Sequence, residues 1–398
     1  MAARLGLFLA FLYFVLPSLT LGAVLQKRAT CTPASHGEAG VDDVPAITEA
    51  IQSCGNGGII LIPAGIVFQL GSTLSFAGCS GCEMQIEGTL KLTDDLDAWN
   101  GVKAIVLLDD ITGATIHSVT GSGLLDGNGV PYWTEFNEDS SYSRPTLVYI
   151  DGGSDITIEN LLVRNAPNVF MSAAGDATNI HYSGLTMQAI PSNGVTPKNT
   201  DGFDIGPASQ VTITNVIVDN QDDCVAFKGG ANFVTVTDIS CSGSHGLSVG
   251  SLGEGTSGNT VTNIYVSGAT MTSSTKATGI KLWDGSSGHG VATVSNVTFN
   301  DITVDSSDYA AQIQVCYEST GTCVPSTHQL TDIVFSNFKG TTSGAEGSVV
   351  ANLDCPADGT CGIIFESFEV NPPSGSAEIL CSNVPSSADI TCDGAASG

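Results

Sequence analysis

The chain has 398 residues, 42% hydrophobic and only 13% charged, which is enough apolar material for one large core. Its 40 acidic residues against 12 Lys and Arg give a formal charge of −28 and a pI near 4.1, which argues against nucleic acid and anionic membranes as partners. The 47 glycines are spread along the chain and point to many tight turns rather than one flexible linker.

Arg4, the apolar run Leu5 to Leu21 and the small residues Gly22 and Ala23 predict a secretory signal over residues 1–23, with no basic stop-transfer cluster behind it. Lys27-Arg28 reads as a dibasic processing site, so 24–28 is expected to be a propeptide and 29–398 one extracellular domain, taken as a monomer. All 12 cysteines lie beyond that point, an even count that in an exported chain predicts disulfides. Pairing in sequence order gives Cys31–Cys54, Cys79–Cys82, Cys224–Cys241, Cys316–Cys323, Cys355–Cys361 and Cys381–Cys392, although spacing alone does not fix connectivity. A zinc site at Cys79-Ser-Gly-Cys82 lacks a second such pair. Asp42 to Cys54 is the one convincing amphipathic helix and is expected to cap the N-terminal end of the fold.

From residue 156 onward a nonapeptide recurs: Asp/Asn, apolar, any, apolar, any, Asn/Gly/Asp, apolar, any, apolar. Its first apolar position falls at Ile156, Ile180, Val211, Val234, Ile264, Val297, Ile333 and Ile363. Alternating apolar residues are the period of a strand with one buried face, and a repeat of about 20–40 residues built from such strands predicts a solenoid. A propeller would need about four strands per 40–45 residues with its own signature. The fold class expected is therefore all-β, a single-stranded right-handed parallel β-helix. Asn296-Val297-Thr298 is the sole glycosylation sequon found.

Asn199-Thr200-Asp201-Gly202 and Asp222-Asp223-Cys224 are 21 residues apart, close to one repeat, so they are expected side by side in equivalent loops ahead of the strands at Val211 and Val234. Hydrolysis of a glycosidic bond requires a carboxylic acid to protonate the leaving oxygen and a carboxylate to activate water. Carboxyls forced together cannot all ionise, so one is expected to keep its proton. Cys241-Ser-Gly-Ser-His245-Gly246 and Gly279-Ile-Lys281 follow about one coil later each and are expected to join the same groove. Isolated Asp residues in solenoid loops are often turn formers, a reading that suits Asp94-Asp95 and Asp109-Asp110. A calcium site is opposed by the cationic neighbours His245 and Lys281; no metal or cofactor is called for.

Together, Asn-Thr-Asp-Gly, Gln-Asp-Asp-Cys, Ser-His-Gly and Ile-Lys, in this order, resemble glycoside hydrolase family 28, the pectin-cleaving polygalacturonases. The resemblance spans essentially the whole chain past the signal and implies a pectic polysaccharide substrate, a β-helix and inverting hydrolysis. It implies Asp222 as general acid, Asp201 and Asp223 as the pair that holds and deprotonates water, and His245 as the residue that tunes the acid. Lys281 matches a substrate-carboxylate binder, Tyr317 a sugar-lining tyrosine, and Asn199 opens the first motif. The family's usual Arg-Ile-Lys appears here as Gly279-Ile280-Lys281. Loss of the guanidinium clamp is expected to weaken the grip on plain galacturonan, and the glycine to leave room beside the backbone sugar. This feature, with Asp43-Val-Pro-Ala-Ile-Thr-Glu-Ala, Ser143-Arg-Pro-Thr-Leu, Ser244-His-Gly-Leu-Ser-Val-Gly-Ser and Val350-Ala-Asn-Leu-Asp-Cys, is similar to enzymes of the family that cut xylose-branched galacturonan. A polygalacturonase acting on unbranched galacturonan, endo or exo, is the alternative. A pectate lyase would need calcium and an arginine base, and no arginine falls between Asn199 and Lys281.

Overall fold

The computed structural model describes residues 28–192, 194–319 and 321–397; the signal and most of the propeptide read from the sequence lie outside them. The described chain is a right-handed parallel β-helix, with 17 strands in one curved sheet and 11 in a second. The nonapeptide forms the core of the first sheet, and its first apolar positions stack in register, one per coil. Ile156 pairs with Ile180, then Val211, Val234, Ile264, Val297, Ile333 and Ile363. None of the eight is more than 2% exposed, so each methyl-rich side chain is sealed between its neighbours above and below, at about 25 cal/mol per Å² of apolar surface removed from water.

The polar positions of the repeat have a backbone cause. The residue before seven of those eight strand positions is left-handed: Asp155, Asn179, Gln210, Phe233, Asn263, Asn296 and Asp332 all have φ between +52° and +58°. The second polar position turns again, at Asn160, Asn215, Asp238, Asp301 and Asn337 among others. Asn and Asp tolerate this region better than other L-residues, which is why the repeat is written with them. The corners also bond to one another: Asn296 Nδ2 donates to Asn263 Oδ1 at 2.7 Å, and Asn263 Nδ2 to Asn232 Oδ1 at 2.8 Å. The exposed sequon residue Asn296 is thus one rung of an amide ladder.

The capping helix is present as Val44–Cys54, beginning two residues later than expected. It buries Val44, Ile47, Ala50, Ile51 and Cys54 against the first strands. The fully buried Asp43 at its start accepts from the backbone N–H groups of His36 and Gln69. Burial alone would raise its pKa, but these bonds hold it below the ordinary carboxylate value. A second helix, Gly129–Glu138, went unread in the sequence because Pro131 and the adjacent Tyr132-Trp133 break the helical period. All six cysteine pairs join in sequence order, with Cα separations of 5.3–6.0 Å.

Candidate active site

The sequence motifs do not precede the first sheet's strands directly, as the repeat alone suggested. Each opens or occupies a strand of the second sheet, which runs between successive nonapeptides. Asp201 stands just before the strand Phe203–Ile205, Asp223 begins Asp223–Phe227, His245 precedes Gly246–Leu252, and Gly279 and Lys281 lie in Lys276–Leu282. These strands stack in chain order and in parallel. Ile205, Phe227, Val249, Ile280 and Ile313 form an inward ladder, none measurably exposed. Their neighbours Asp204, Ala226, Ser248, Gly279 and Gln312 form the outward row. The buried ladder thereby fixes the outward row in place.

Over that row lies a cavity of about 450 Å³ bordered by Asp201, Asp204, Asp222, Asp223, Lys228, Lys281, Arg144, Asn199 and Tyr317. Two buried polar residues hold its two acidic loops together. The fully buried Asn220 donates from Nδ2 to the carbonyls of Thr200 (2.7 Å) and Asp223 (2.9 Å), and Thr200 Oγ1 accepts from the Gln221 N–H. Cys224–Cys241 fastens the same strand to the first sheet.

The carboxyls have distinct environments. Asp223 is 1% exposed, and both its oxygens are engaged, Oδ1 by Ser248 Oγ at 2.7 Å and Oδ2 by Lys281 Nζ at 2.6 Å. Asp201 is raised well above the ordinary carboxylate value, by burial first and then by repulsion from Asp204 and Asp222. Asp204 is raised as well, chiefly by burial; Lys228 Nζ lies 3.6 Å from it and 3.8 Å from Asp201. Burial pushes Asp222 up too, but His245 Nδ1 at 3.2 Å and the Asp223 N–H at 2.8 Å outweigh it, and its net direction is down. Burial and repulsion thus favour the protonated forms of Asp201 and Asp204, while hydrogen bonds favour the charged form of Asp222, the opposite direction to the one expected of a general acid.

Asp222, Asp223 and His245 each offer a ligand atom within 4.8 Å of the others. Ser248 and Lys281 already engage Asp223, and His245, the Asp223 N–H and Asn199 engage Asp222, so the set is bonded within the protein. Tyr317 faces Lys281, whose Nζ is 5.3 Å from the ring centroid.

Four residues of the site were not singled out from the sequence. Asp204 and Lys228 sit three and five residues past the motif aspartates Asp201 and Asp223, and strand alternation would have turned Asp204 into the groove. Arg144 enters from the stretch Ser143-Arg-Pro-Thr-Leu, so an arginine does reach the site although none lies between Asn199 and Lys281. Its guanidinium donates to Asn199 Oδ1 at 2.7 Å and to the carbonyls of Lys198 (2.6 Å) and Pro167 (2.9 Å). It stacks on the ring of Phe136, from the unread helix, 3.6 Å from the centroid. Burial pushes its pKa down to about 10, which leaves it charged. Asn199 in turn reaches Asp222 Oδ2 at 3.4 Å.

Gly279 does not leave an open space. A Cβ placed on it would lie 2.5 Å from Lys276 Cε and 2.6 Å from Cδ, so the lysine chain already fills that volume. Its backbone is outside the left-handed region, so conformation alone does not require glycine there.

Clustered carboxyls of unequal proton affinity, in a groove on a parallel β-helix, define a glycoside hydrolase. Residues 54–392 match the sequence profile of glycosyl hydrolases family 28, and the chain belongs to that family. It is 55% identical over 377 residues to endo-xylogalacturonan hydrolase A of Aspergillus tubingensis, covering 94% of this chain and 93% of that one. It is 54% identical to the probable endo-xylogalacturonan hydrolase A of Aspergillus niger with the same coverage. The crystal structure of the A. tubingensis enzyme matches with a TM-score of 0.91 and 54% identity, over 93% of this chain and 100% of that one. A polygalacturonase from Erwinia carotovora ssp. carotovora shares the fold at 19% identity, with a TM-score of 0.72 over 90% and 97% of the two chains.

Proposed function

We propose that the chain is an extracellular endo-xylogalacturonan hydrolase that cleaves α-1,4-galacturonosyl links in xylose-substituted galacturonan with inversion. The observation that carries the substrate is the 55% identity, over nearly the full length of both chains, to an enzyme with that name. Six disulfides support an extracellular location, and among the described residues no helix is long and apolar enough to cross a membrane.

In this reading Asp222 protonates the glycosidic oxygen, and Asp201 with Asp223 positions and deprotonates the attacking water. His245 is a positioning residue that acts through Asp222, while Lys281 and Tyr317 meet the sugar. Arg144 holds Asn199 against Asp222 and so supports the acid indirectly. By itself Asp222 is held toward its carboxylate form by His245 and the Asp223 N–H. A uronate entering beside it adds negative charge and excludes water, and both changes raise its proton affinity. Chain neighbours Asp222 and Asp223 approach within 4.8 Å, closer than the about 6.5–9.5 Å usual between acid and base of inverting enzymes. In this reading the water lies between Asp222 and Asp201.

Product profiles on galacturonan and xylogalacturonan, read together with the product's anomeric configuration by NMR at early times, test this. Faster cleavage of the branched polymer to internal fragments, with inverted anomers, is expected. Preference for unbranched galacturonan would leave a polygalacturonase, and a retained anomer would overturn the assignment of the water-activating pair.

A further inference from the structure

Position 279 is where the family's motif supplies an arginine, and the outward row beside Ser248 and Gln312 is therefore short of one cation. The volume above it is nonetheless occupied. Lys276 begins the same strand, and its chain lies across two glycines: Gly279, whose absent Cβ would meet Cε and Cδ, and Gly246, whose absent Cβ would lie 3.0 Å from Cγ. The residue is 6% exposed, and among the described residues its ammonium has no hydrogen-bond or ion-pair partner. Its charged neighbours are Asp223, Lys281 and Asp222, the groups of the reacting site. Its Nζ is not among the fully buried unpartnered polar atoms of the described residues, so the nitrogen keeps some access to solvent and is open to a partner. Asp223 is already committed to Ser248 and Lys281.

We propose that Lys276 is a second carboxylate-binding cation of the site, a specificity-determining residue that stands in for the arginine missing at 279. The two glycines are the bed on which its chain is laid, and the partner of its ammonium is a uronate carboxylate of the substrate. Burial pushes its pKa down to about 8, so it carries its charge at the acidic to neutral pH where polyuronides are bound. An ammonium is a compact point charge that accepts a carboxylate from several directions, whereas a guanidinium fork imposes one plane. Lysine in this place therefore tolerates a backbone sugar tilted by a branch.

The inference rests on the proposed hydrolysis of a galacturonan backbone and is tested by varying the charge of the polymer. Initial rates of the parent and of Lys276→Met are measured on xylogalacturonan carrying increasing fractions of methyl-esterified uronates. On the free-acid polymer kcat/KM of the variant is expected to fall about 10–100-fold, mainly through KM, as for loss of a charged hydrogen bond. The loss is expected to shrink as esters replace carboxylates. A loss of the same factor at every ester content, or no loss, would overturn the role. Lys276→Arg should keep the ester dependence, which a purely packing role would not predict. Gly279→Arg alone should slow both polymers by colliding with Lys276, and Lys276→Ser combined with Gly279→Arg should recover cleavage of unbranched galacturonan. If Lys276→Met does not fold, that pair decides the matter, and no recovery counts against the proposal. Failure of the parent to cut any of these polymers would instead remove the hydrolase reading on which it rests.

Discussion

The surroundings of Asp222 favour its charged form, whereas the acid role proposed for it needs a proton as the bond breaks; Asp201 is pushed in the opposite direction to the one its base role needs. One proton shared among these carboxyls yields a bell-shaped profile whose limbs belong to the cluster. Activity is lost on acidification when Asp222, whose pKa is lowered, takes up a second proton. It is lost on raising pH when the proton held by the raised pair Asp201 and Asp204 departs. The optimum of kcat/KM is expected on the acidic side of neutrality, and an optimum above pH 7 would contradict this assignment. Asp222→Asn should lower kcat by about 10²–10⁴-fold or more, with an unchanged melting temperature, because an amide packs alike but cannot give up the proton. Activity within a factor of three of the parent would sink the acid role. Asp201→Asn should inactivate the enzyme yet stabilise it. A carboxyl whose folded-state pKa is raised adds stability below its unfolded value of 3.8 and loses it as pH rises through the folded value. Above that folded value the parent carries a buried charge that the amide removes. The variant's melting temperature is expected to exceed the parent's there by a degree or more, since about 1 kcal/mol is worth roughly 2–4 °C in domains of 150–250 residues. The gain should vanish near pH 3.

At the scale of elements, the legible and illegible strands differ in one physical respect. First-sheet strands alternate buried and exposed positions and turn at left-handed corners, two constraints that select residue types visibly. The groove strands Asp223–Phe227 and Lys276–Leu282 are buried at every position, because a groove and its walls cover their outer face as well. No period of two survives in them, so the motifs could be recognised as a group while their strands went unseen. Arg144 and Phe136 were out of reach for a related reason: only the folded coil brings them to Asn199. Gln210 and Phe233 depart from Asn and Asp among these corners, and Phe233 is the apolar one. It adopts φ +52°, its ring is 56% exposed, and equivalent corners on other coils hold Asp155, Asn263, Asn296 and Asp332. Left-handed geometry costs an ordinary L-residue about 1–2 kcal/mol. Phe233→Asn is therefore expected to raise the unfolding free energy by about 0.5–1 kcal/mol without altering turnover, measured by denaturant titration and assay. A drop in stability would mean that the exposed ring is engaged in packing.

For the whole molecule, the charge of −28 opposes a polyanionic substrate at long range while Arg144, Lys228 and Lys281 border one groove and the Lys276 chain lies beside Gly279. The two effects separate by distance. Raising ionic strength from about 0.01 to 0.1 M shortens the Debye length from about 30 to 10 Å. KM for the polymer should first fall as the general repulsion is screened, then rise near 1 M as the groove contacts weaken. A monotonic rise would mean that the groove dominates at all ranges. The stacking of catalytic groups one coil apart has a further result. From Asp201 to Tyr317 the candidate site residues belong to five successive strands of the second sheet and the loops beside them, with the other six of that sheet's eleven strands lying outside that set. A quasi-one-dimensional stack melts from its ends inward. Catalysis is accordingly a gauge of the central coils alone: during gradual denaturation, optical signals from the terminal coils should decay while turnover persists, and turnover should then cease abruptly.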